Sequence, residues 1–206
     1  MPFTLVIGGA RSGKSSLALR LATASARPVM FVATAQAGDD DMAARIDRHR
    51  VERPTNWSTV EEPIAVADVI GAGDVIGAGD VIGAGDVIGA GVVIGAGGGA
   101  FVIIDCVTMW VANLIFADRS DAEIRSAALD LGTRLAERQA PAVVISNEVG
   151  MGIHPETELG RRYRDLLGWV NSDLAAGAER ALLMVAGRAT LLHDPIDLLT
   201  SKDVPS

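Results

Sequence analysis

Cysteine is almost absent from this sequence. The 206 residues include only Cys106, so no internal disulfide can form, and the chain suits a reducing compartment. We interpret Cys106 as a small buried apolar residue rather than as a nucleophile. Basic residues are also scarce, since 18 Lys and Arg against 26 Asp and Glu give a net charge of −8. This balance argues against a general binder of nucleic acid or of anionic membranes, and leaves room for a local basic site around a phosphate.

The sequence also lacks a recognisable targeting or membrane-spanning segment. Its first residues run directly into an apolar strand, with no basic region and no cleavage site. The apolar run of residues 92–104 is broken by glycines and stopped by Asp105, which makes it a poor membrane span. We therefore expect a cytoplasmic protein. With 49% hydrophobic and 21% charged residues, residues 1–206 are expected to form one globular domain.

One short stretch offers specific chemistry. Residues 8–15 read GGARSGKS and fit G-x-x-x-x-G-K-[ST], a loop that wraps nucleotide phosphates with backbone N–H groups. A strand pattern precedes the loop and a helix pattern follows it, which argues against a chance glycine-rich turn. Lys14 is expected to reach the terminal phosphates, and the Ser15 hydroxyl to bind Mg²⁺. The predicted nucleotide contacts of this loop are Gly8, Gly9, Ala10, Arg11, Ser12, Gly13, Lys14 and Ser15.

Strand and helix patterns alternate along the chain. Strands are predicted over residues 3–7, 28–34, 100–105, 141–146 and 181–186. Helices are predicted over residues 15–24, 39–51, 107–116, 121–138 and 156–176, with an extended segment or loop at 57–62 and an irregular tail after Gly187. This order predicts an α/β fold of the P-loop type, with a mostly parallel sheet and helices on both faces. Ligands of such sheets lie beyond the carboxyl ends of the strands, where Lys14, Thr34, Asp105 and Asn147 are expected.

A repeated hexapeptide interrupts this alternation. The sequence DVIGAG occurs four times over residues 68–91, and residues 92–97 are a fifth, altered copy. The period resembles that of a β-helix, but about thirty residues supply fewer than two coils of roughly 18 residues each. The glycines disfavour a helix by about 1 kcal/mol each. We predict a mobile insertion at about residues 68–97 and assign no chemistry to it.

Two further residues are candidates for chemistry. Asp105 ends an apolar strand, where an acid commonly holds Mg²⁺ in proteins with a phosphate loop, although it could instead cap the following helix. His49 lies among Arg48, Arg50 and Arg53, which would stabilise charge developing on a phosphate. An imidazole can attack a phosphoryl centre, but a histidine on a basic helix is more often a surface residue. The residues alone leave both interpretations of His49 open.

Taken together, the motifs resemble those of a known enzyme family. They are the phosphate loop, FVATAQ at 31–36, MAARIDRHR at 42–50 before Arg53-Pro54 and Trp57, IDCVTMW at 104–110, and SNEVGMGIHP at 146–155. Their order is similar to that of the bifunctional adenosylcobinamide kinase/adenosylcobinamide-phosphate guanylyltransferase family, over nearly the whole chain outside the repeat. The resemblance implies that ATP or GTP phosphorylates the aminopropanol hydroxyl of adenosylcobinamide. GMP then passes from GTP, through a guanylylated histidine, to give adenosylcobinamide-GDP.

The resemblance also assigns roles to individual residues. It implies that His49 is guanylylated, because Arg45-Ile46 and Arg53-Pro54 bracket it as in the family. It adds guanine-nucleotide contacts at Ala33, Thr34, Ala35, Arg50, Val51, Glu52, Arg53, Glu61 and Asp105. Mg²⁺ at Ser15 and Asp105, together with Lys14, would neutralise the leaving charge. The family forms homotrimers, so a homo-oligomer is expected.

Three other interpretations stay open at this point. The first is another small-molecule kinase without a covalent histidine, and the second is a nucleotide-dependent switch without turnover. The third is a β-helical structural protein, which would require an ordered repeat. The repeat is also where the chain departs from the family, since it lies between the expected contacts Glu61 and Asp105. An excursion that keeps both ends in register would be tolerated, because loop entropy grows slowly with length.

Overall fold

The computed structural model describes residues 3–36, 51, 53–71, 81–82 and 99–200. The strands in these ranges are β1 (Phe3–Gly8), β2 (Val29–Ala33), β3 (Ser58–Glu61), β4 (Val81–Ile82), β5 (Phe101–Asp105), β6 (Ala142–Ile145), β7 (Arg180–Val185) and β8 (Arg188–Leu192). The helices are α1 (Lys14–Ala24), α2 (Val66–Gly71), α3 (Val107–Phe116), α4 (Asp121–Ala136), α5 (Glu158–Gly177) and α6 (Pro195–Thr200). Within the described ranges, no helix is long and apolar enough to cross a membrane.

The strands form one sheet in the order β4-β3-β2-β5-β6-β1-β7-β8. Every pairing is parallel except that of β8, which runs antiparallel to β7 at the edge. The predicted α/β fold with a mostly parallel sheet is therefore confirmed. Because the parallel strands run the same way, the carboxyl ends of β1, β2, β3, β5 and β6 meet along one edge of the sheet.

The core lies on both faces of this sheet, as the alternation of side chains along a strand requires. Leu5 and Ile104 point to one face, where they join the buried side chains of α3, α4 and α5. Val6 and Ile103 point to the other face, where they pack with Ala18 of α1. The strands are apolar on both sides because helices cover both sides, which is the pattern of a buried parallel sheet.

The two long helices begin at side-chain caps. Ser120 accepts a hydrogen bond from the Glu123 N–H at 3.3 Å, and the Glu123 carboxylate accepts one from the Ser120 N–H at 2.8 Å. At the start of α5, the Thr157 hydroxyl accepts from the Gly160 N–H at 3.1 Å. Helices α4 and α5 lie side by side, and their Arg125 and Asp173 side chains form a two-bond ion pair at 2.9 and 2.8 Å.

The prediction of an irregular tail after Gly187 is wrong. The chain turns back through Ala186 and Gly187, whose φ angles of 50° and 74° are those of a two-residue type I′ hairpin. Strand β8 then pairs with β7 from Arg188 opposite Val185, and α6 follows. All five residues of β8 are exposed, so no apolar alternation marks this strand in the sequence.

The repeat begins inside a helix rather than in a loop. Helix α2 runs through the first four residues of the first copy and ends at Gly71. Its Val69 and Ile70 are 7% and 5% exposed, and their burial offsets the helix-breaking tendency of the glycine. In the third copy, Val81–Ile82 forms the short strand β4 beside β3. The other repeat residues, and the helix predicted over 39–51 apart from residue 51, lie outside the described residues.

Candidate functional site

The phosphate loop surrounds the amino group of Lys14. The Lys14 Nζ donates to the carbonyl oxygens of Gly8 and Gly9 at 2.8 and 2.7 Å, and lies 3.5 Å from Ser12 Oγ. Only 8% of Lys14 is exposed, although its residue type is rarely buried. A buried ammonium at the start of helix α1, where the helix dipole is positive, makes this loop a strong site for an anion.

Strand β7 and the turn that follows it pack against the phosphate loop. Gly8 lies opposite Met184 of β7, and a Cβ on Gly8 would sit 2.4 Å from the Met184 carbonyl oxygen. Gly13 has a φ of +98°, and its Cβ would lie 3.3 Å from the Gly187 Cα. The Gly187 N–H also donates to the Ser12 carbonyl at 3.0 Å. Close packing therefore requires glycine at position 8, and the left-handed backbone favours glycine at position 13.

Asp105 and Ser15 meet at the mouth of the loop. The Ser15 hydroxyl donates to Asp105 Oδ2 at 3.1 Å across 90 residues of sequence. The N-cap residue of helix α3 is Cys106 rather than Asp105. A hydroxyl and a carboxylate are the hard oxygen donors that Mg²⁺ accepts alongside water and phosphate oxygens. The two residues present therefore fit the predicted ion.

The neighbouring strands bring the other predicted contacts into the same row. Ala33 at the end of β2 lies opposite both Asp105 of β5 and Glu61 of β3. The Glu62 N–H donates to the Ala33 carbonyl at 2.9 Å, which continues the pairing past the end of β3. Thus Ala33, Glu61 and Asp105 lie side by side at the carboxyl edge.

The hydroxyl of Thr34 forms its hydrogen bonds inside the protein, with the main chain of Cys106. Thr34 is fully buried, and its hydroxyl accepts from the Cys106 N–H at 2.8 Å and donates to the Cys106 carbonyl at 2.7 Å. Its own N–H donates to the Asp105 carbonyl at 3.2 Å. Thr34 therefore fixes the chain at Asp105, and its hydroxyl is already engaged.

Sequence reasoning missed Asn113, which braces the same edge from helix α3. Its Nδ2 donates to the carbonyls of Thr34 and Pro63 at 2.7 and 3.1 Å, and the residue is 8% exposed. One amide thus ties the ends of β2 and β3 together. Asn113 is the only amide side chain in a largely apolar helix, and this is the signal in the sequence, because buried amides need partners.

A second buried network fixes the loop after β6, and Thr108 and Asn171 were also missed there. Asn171 Oδ1 accepts from the Ser146 hydroxyl at 2.6 Å, and its Nδ2 donates to the Asn147 carbonyl at 3.0 Å. The Asn147 N–H donates to Thr108 Oγ1 at 2.9 Å. Asn147 therefore lies at the carboxyl edge as predicted, held through its main chain. Tyr163 completes the network by donating to the Thr108 carbonyl at 3.2 Å.

The arginine segment is described only in part. Arg53 stacks on Phe31 of β2, with 3.7 Å from its guanidinium carbon to the ring centroid. Val51 is 85% exposed. His49, Arg50 and Glu52 lie outside the described residues.

Burial, with a smaller contribution from the Asp105 charge, raises the pKa of the Cys106 thiol to about 11. The thiolate is the nucleophilic form of cysteine, and a thiol with this pKa stays protonated near neutral pH. This agrees with the interpretation of Cys106 as a residue without a chemical role.

A parallel sheet with a phosphate loop after β1 and an acid at the end of β5 defines a P-loop nucleotide-binding protein. The chain belongs to the cobinamide kinase / cobinamide phosphate guanyltransferase family, whose model matches residues 4–78 and 92–192. The gap between the two matched ranges falls inside the hexapeptide repeat.

Curated relatives agree with this assignment, and a protein of known structure shares the fold. The bifunctional adenosylcobalamin biosynthesis protein CobP of Pseudomonas aeruginosa is 40% identical over 186 residues, covering 89% of this chain and 92% of the relative. The protein CobU of Escherichia coli K12, which carries the same description, is 38% identical over 195 residues, covering 89% and 95%. A protein of known structure from Pyrococcus horikoshii OT3 shares the fold, with a TM-score of 0.54 and 10% sequence identity. The match covers 92% of this chain and 85% of that one.

Proposed function

We propose that this protein phosphorylates adenosylcobinamide and then transfers GMP to the product, and that both steps use the phosphate loop. Membership of the family supports the two activities. The observation that carries the proposal is the cluster at the carboxyl edge, where the buried Lys14 ammonium lies in the loop and Ser15 meets Asp105 at 3.1 Å. One anion site with a fixed cation and an acidic partner can serve two phosphoryl centres in turn.

In the kinase step, the aminopropanol hydroxyl attacks the terminal phosphorus of ATP or GTP. The bond from that phosphorus to its bridging oxygen breaks, and the nucleoside diphosphate leaves as the hydroxyl proton passes to solvent. Lys14 is positioned to hold the phosphate that becomes the leaving group, since its Nζ occupies the loop. Mg²⁺, held by Ser15 and Asp105, would supply further charge neutralisation.

In the guanylyl transfer, a neutral His49 imidazole attacks the α-phosphorus of GTP, and pyrophosphate leaves. The phosphate of adenosylcobinamide phosphate then displaces the imidazole and takes the GMP. The position of His49 between Arg45-Ile46 and Arg53-Pro54 supports this role. Membership of the family supports further nucleotide contacts at Ala33, Thr34, Ala35, Arg50, Val51, Glu52, Arg53, Glu61 and Asp105.

Mass spectrometry after incubation with GTP and Mg²⁺ tests the covalent step. We expect a GMP adduct on a peptide that contains residue 49, acid-labile and base-stable as a phosphoramidate is. The adduct should be lost in His49→Ala and kept in the matched control His193→Ala, which replaces an exposed histidine beyond β8. Absence of an adduct, or its survival in His49→Ala, would reject guanylyl transfer through this residue.

Turnover separates an enzyme from a nucleotide-dependent switch. Wild-type protein should convert adenosylcobinamide to its phosphate, and Asp105→Asn should lower kcat by about 10²-fold or more, as loss of one charge-stabilising group typically does. Tight GTP binding without any conversion would favour the switch. The homotrimer and the cytoplasmic location stay predictions of this proposal, and light scattering of the purified protein tests the first.

A further inference from the structure

The segment after β6, residues 147–155, lies beside the phosphate loop. In the sheet, β6 is flanked by β1, which leads into the phosphate loop, and by β5, which ends at Asp105. The Glu148 N–H donates to the Gly8 carbonyl at 3.3 Å, so the segment contacts the loop directly. A molecule that approaches the terminal phosphate from the carboxyl edge of the sheet therefore meets this segment.

The segment is anchored at both ends. At its start, Asn147 is held by Thr108 and Asn171 within the buried network. At its end, Arg161 donates to the Pro155 carbonyl at 3.2 Å, and Arg164 NH1 lies 2.6 Å from His154 Nδ1. Between these anchors, the Glu148 carboxylate accepts from the Gly150 N–H. These bonds hold both ends of the segment, and Met151 and Ile153 lie between them.

Two large apolar side chains stand out of this anchored segment into solvent. Met151 is 82% exposed and Ile153 is 97% exposed. Neighbouring Val149 instead packs against the core. Exposure is therefore particular to Met151 and Ile153 and is not shared by every apolar residue of the segment. Ligand sites are lined mainly by apolar side chains, with a few polar groups that fix the orientation of the ligand.

We propose that Met151 and Ile153 are contacts for the corrinoid acceptor. This inference rests on the proposed function. A corrinoid is a large macrocycle with apolar methyl-bearing edges and amide arms, and its hydroxyl must reach the phosphate held by Lys14. Apolar side chains bind the ring edge without competing for the charged groups that the nucleotide needs. Methionine suits this task because its unbranched thioether adapts to an irregular surface.

Steady-state kinetics with adenosylcobinamide test the assignment. Met151→Ser and Ile153→Ser should each raise KM for adenosylcobinamide about tenfold, the effect of removing an apolar contact from a substrate site. KM for the nucleotide and the yield of His49 adduct from GTP alone should stay at wild-type values, because neither involves the acceptor. Phe116→Ser is the matched control, since it removes a 74% exposed apolar side chain at the far end of α3.

The outcomes separate this assignment from the function on which it rests. Wild-type turnover with unchanged KM for adenosylcobinamide in both variants overturns the subsite alone. No conversion of adenosylcobinamide by the wild type overturns the subsite together with the proposed function. A lower molecular mass of both variants by light scattering, with KM unchanged, assigns the two side chains to an interface between copies of the chain and overturns the corrinoid contact.

Discussion

Replacement of Gly8 by alanine tests the support that β7 gives to the phosphate loop. The new Cβ would lie 2.4 Å from the Met184 carbonyl oxygen and 2.9 Å from Ser12 Oγ. An ordinary contact needs about 3.5 Å, so β1 and β7 would have to separate by about 1 Å. Neither backbone can turn aside as a flexible side chain would, because Gly8 and Met184 are paired in the sheet.

This separation carries a calculable cost. Overpacking a tight site typically costs 1–3 kcal/mol, and a clash with a backbone oxygen belongs at the upper end, at about 3 kcal/mol. For a chain of this size, each kcal/mol lowers Tm by about 2–4 °C, so the expected loss is about 6–12 °C. The Gly8 carbonyl oxygen accepts a hydrogen bond from the Lys14 amino group. Because this carbonyl would be displaced, GTP affinity should fall along with stability.

Gly9→Ala is the matched control. A Cβ at Gly9 would meet nothing within 4 Å, and Gly9 is not among the glycines with a positive φ. Its stability should match the wild type or rise by about 0.4–1 kcal/mol, since alanine restricts the unfolded chain. Differential scanning calorimetry of both variants gives the comparison. Equal Tm values for Gly8→Ala and Gly9→Ala would refute the reasoning.

Three further changes test the buried groups around the site. Thr34→Val should lower the free energy of unfolding by about 1–3 kcal/mol in urea titrations, because the Cys106 N–H loses its partner, whereas Thr34→Ser should keep most of it. Asn171→Leu should lower the free energy of unfolding by a similar amount, because the Ser146 hydroxyl and the Asn147 carbonyl both lose their hydrogen bond to the Asn171 amide. An unchanged urea midpoint would contradict the network. The Cys106 thiol, with its pKa raised from 9.0 to about 11, should resist iodoacetamide at pH 8 unless the protein is unfolded, and its contribution to stability, complete below pH 9, should disappear as the pH rises through 11.

The parts of the fold that could be predicted are those whose signal is local. Helix α3 has the predicted bounds, because an apolar run of helical length follows directly after a strand. The meeting of Ser15 with Asp105 was also predictable, despite the long sequence separation, because parallel strands place their carboxyl ends together. The parallel arrangement of the strands is enough to predict this contact.

The parts that could not be predicted depend on where distant groups come to lie. The hydrogen-bond partners of Asn113 and Asn171 could not be predicted, because only the fold shows which carbonyls and hydroxyls face these two amides. Strand β8 was missed because its side chains are all exposed and because Ala186-Gly187 is a weaker turn signal than Asn-Gly or Asp-Gly. The glycines of the first repeat copy argue against a helix, and the sequence does not show that burial of Val69 and Ile70 outweighs them.

The short strand β4 has a consequence for the length of the protein. Val81–Ile82 pairs with Thr59 and Val60 of β3 through main-chain bonds, and the same Val-Ile pair recurs every six residues through the repeat. Pairing register is weakly specified when neighbouring segments offer the same side chains. Loss or gain of one six-residue unit therefore leaves an equivalent partner for the sheet edge. The change in loop-closure entropy is also small, because that entropy varies with the logarithm of loop length. The repeat is thus a place where the chain can change in length by whole units without losing its edge strand.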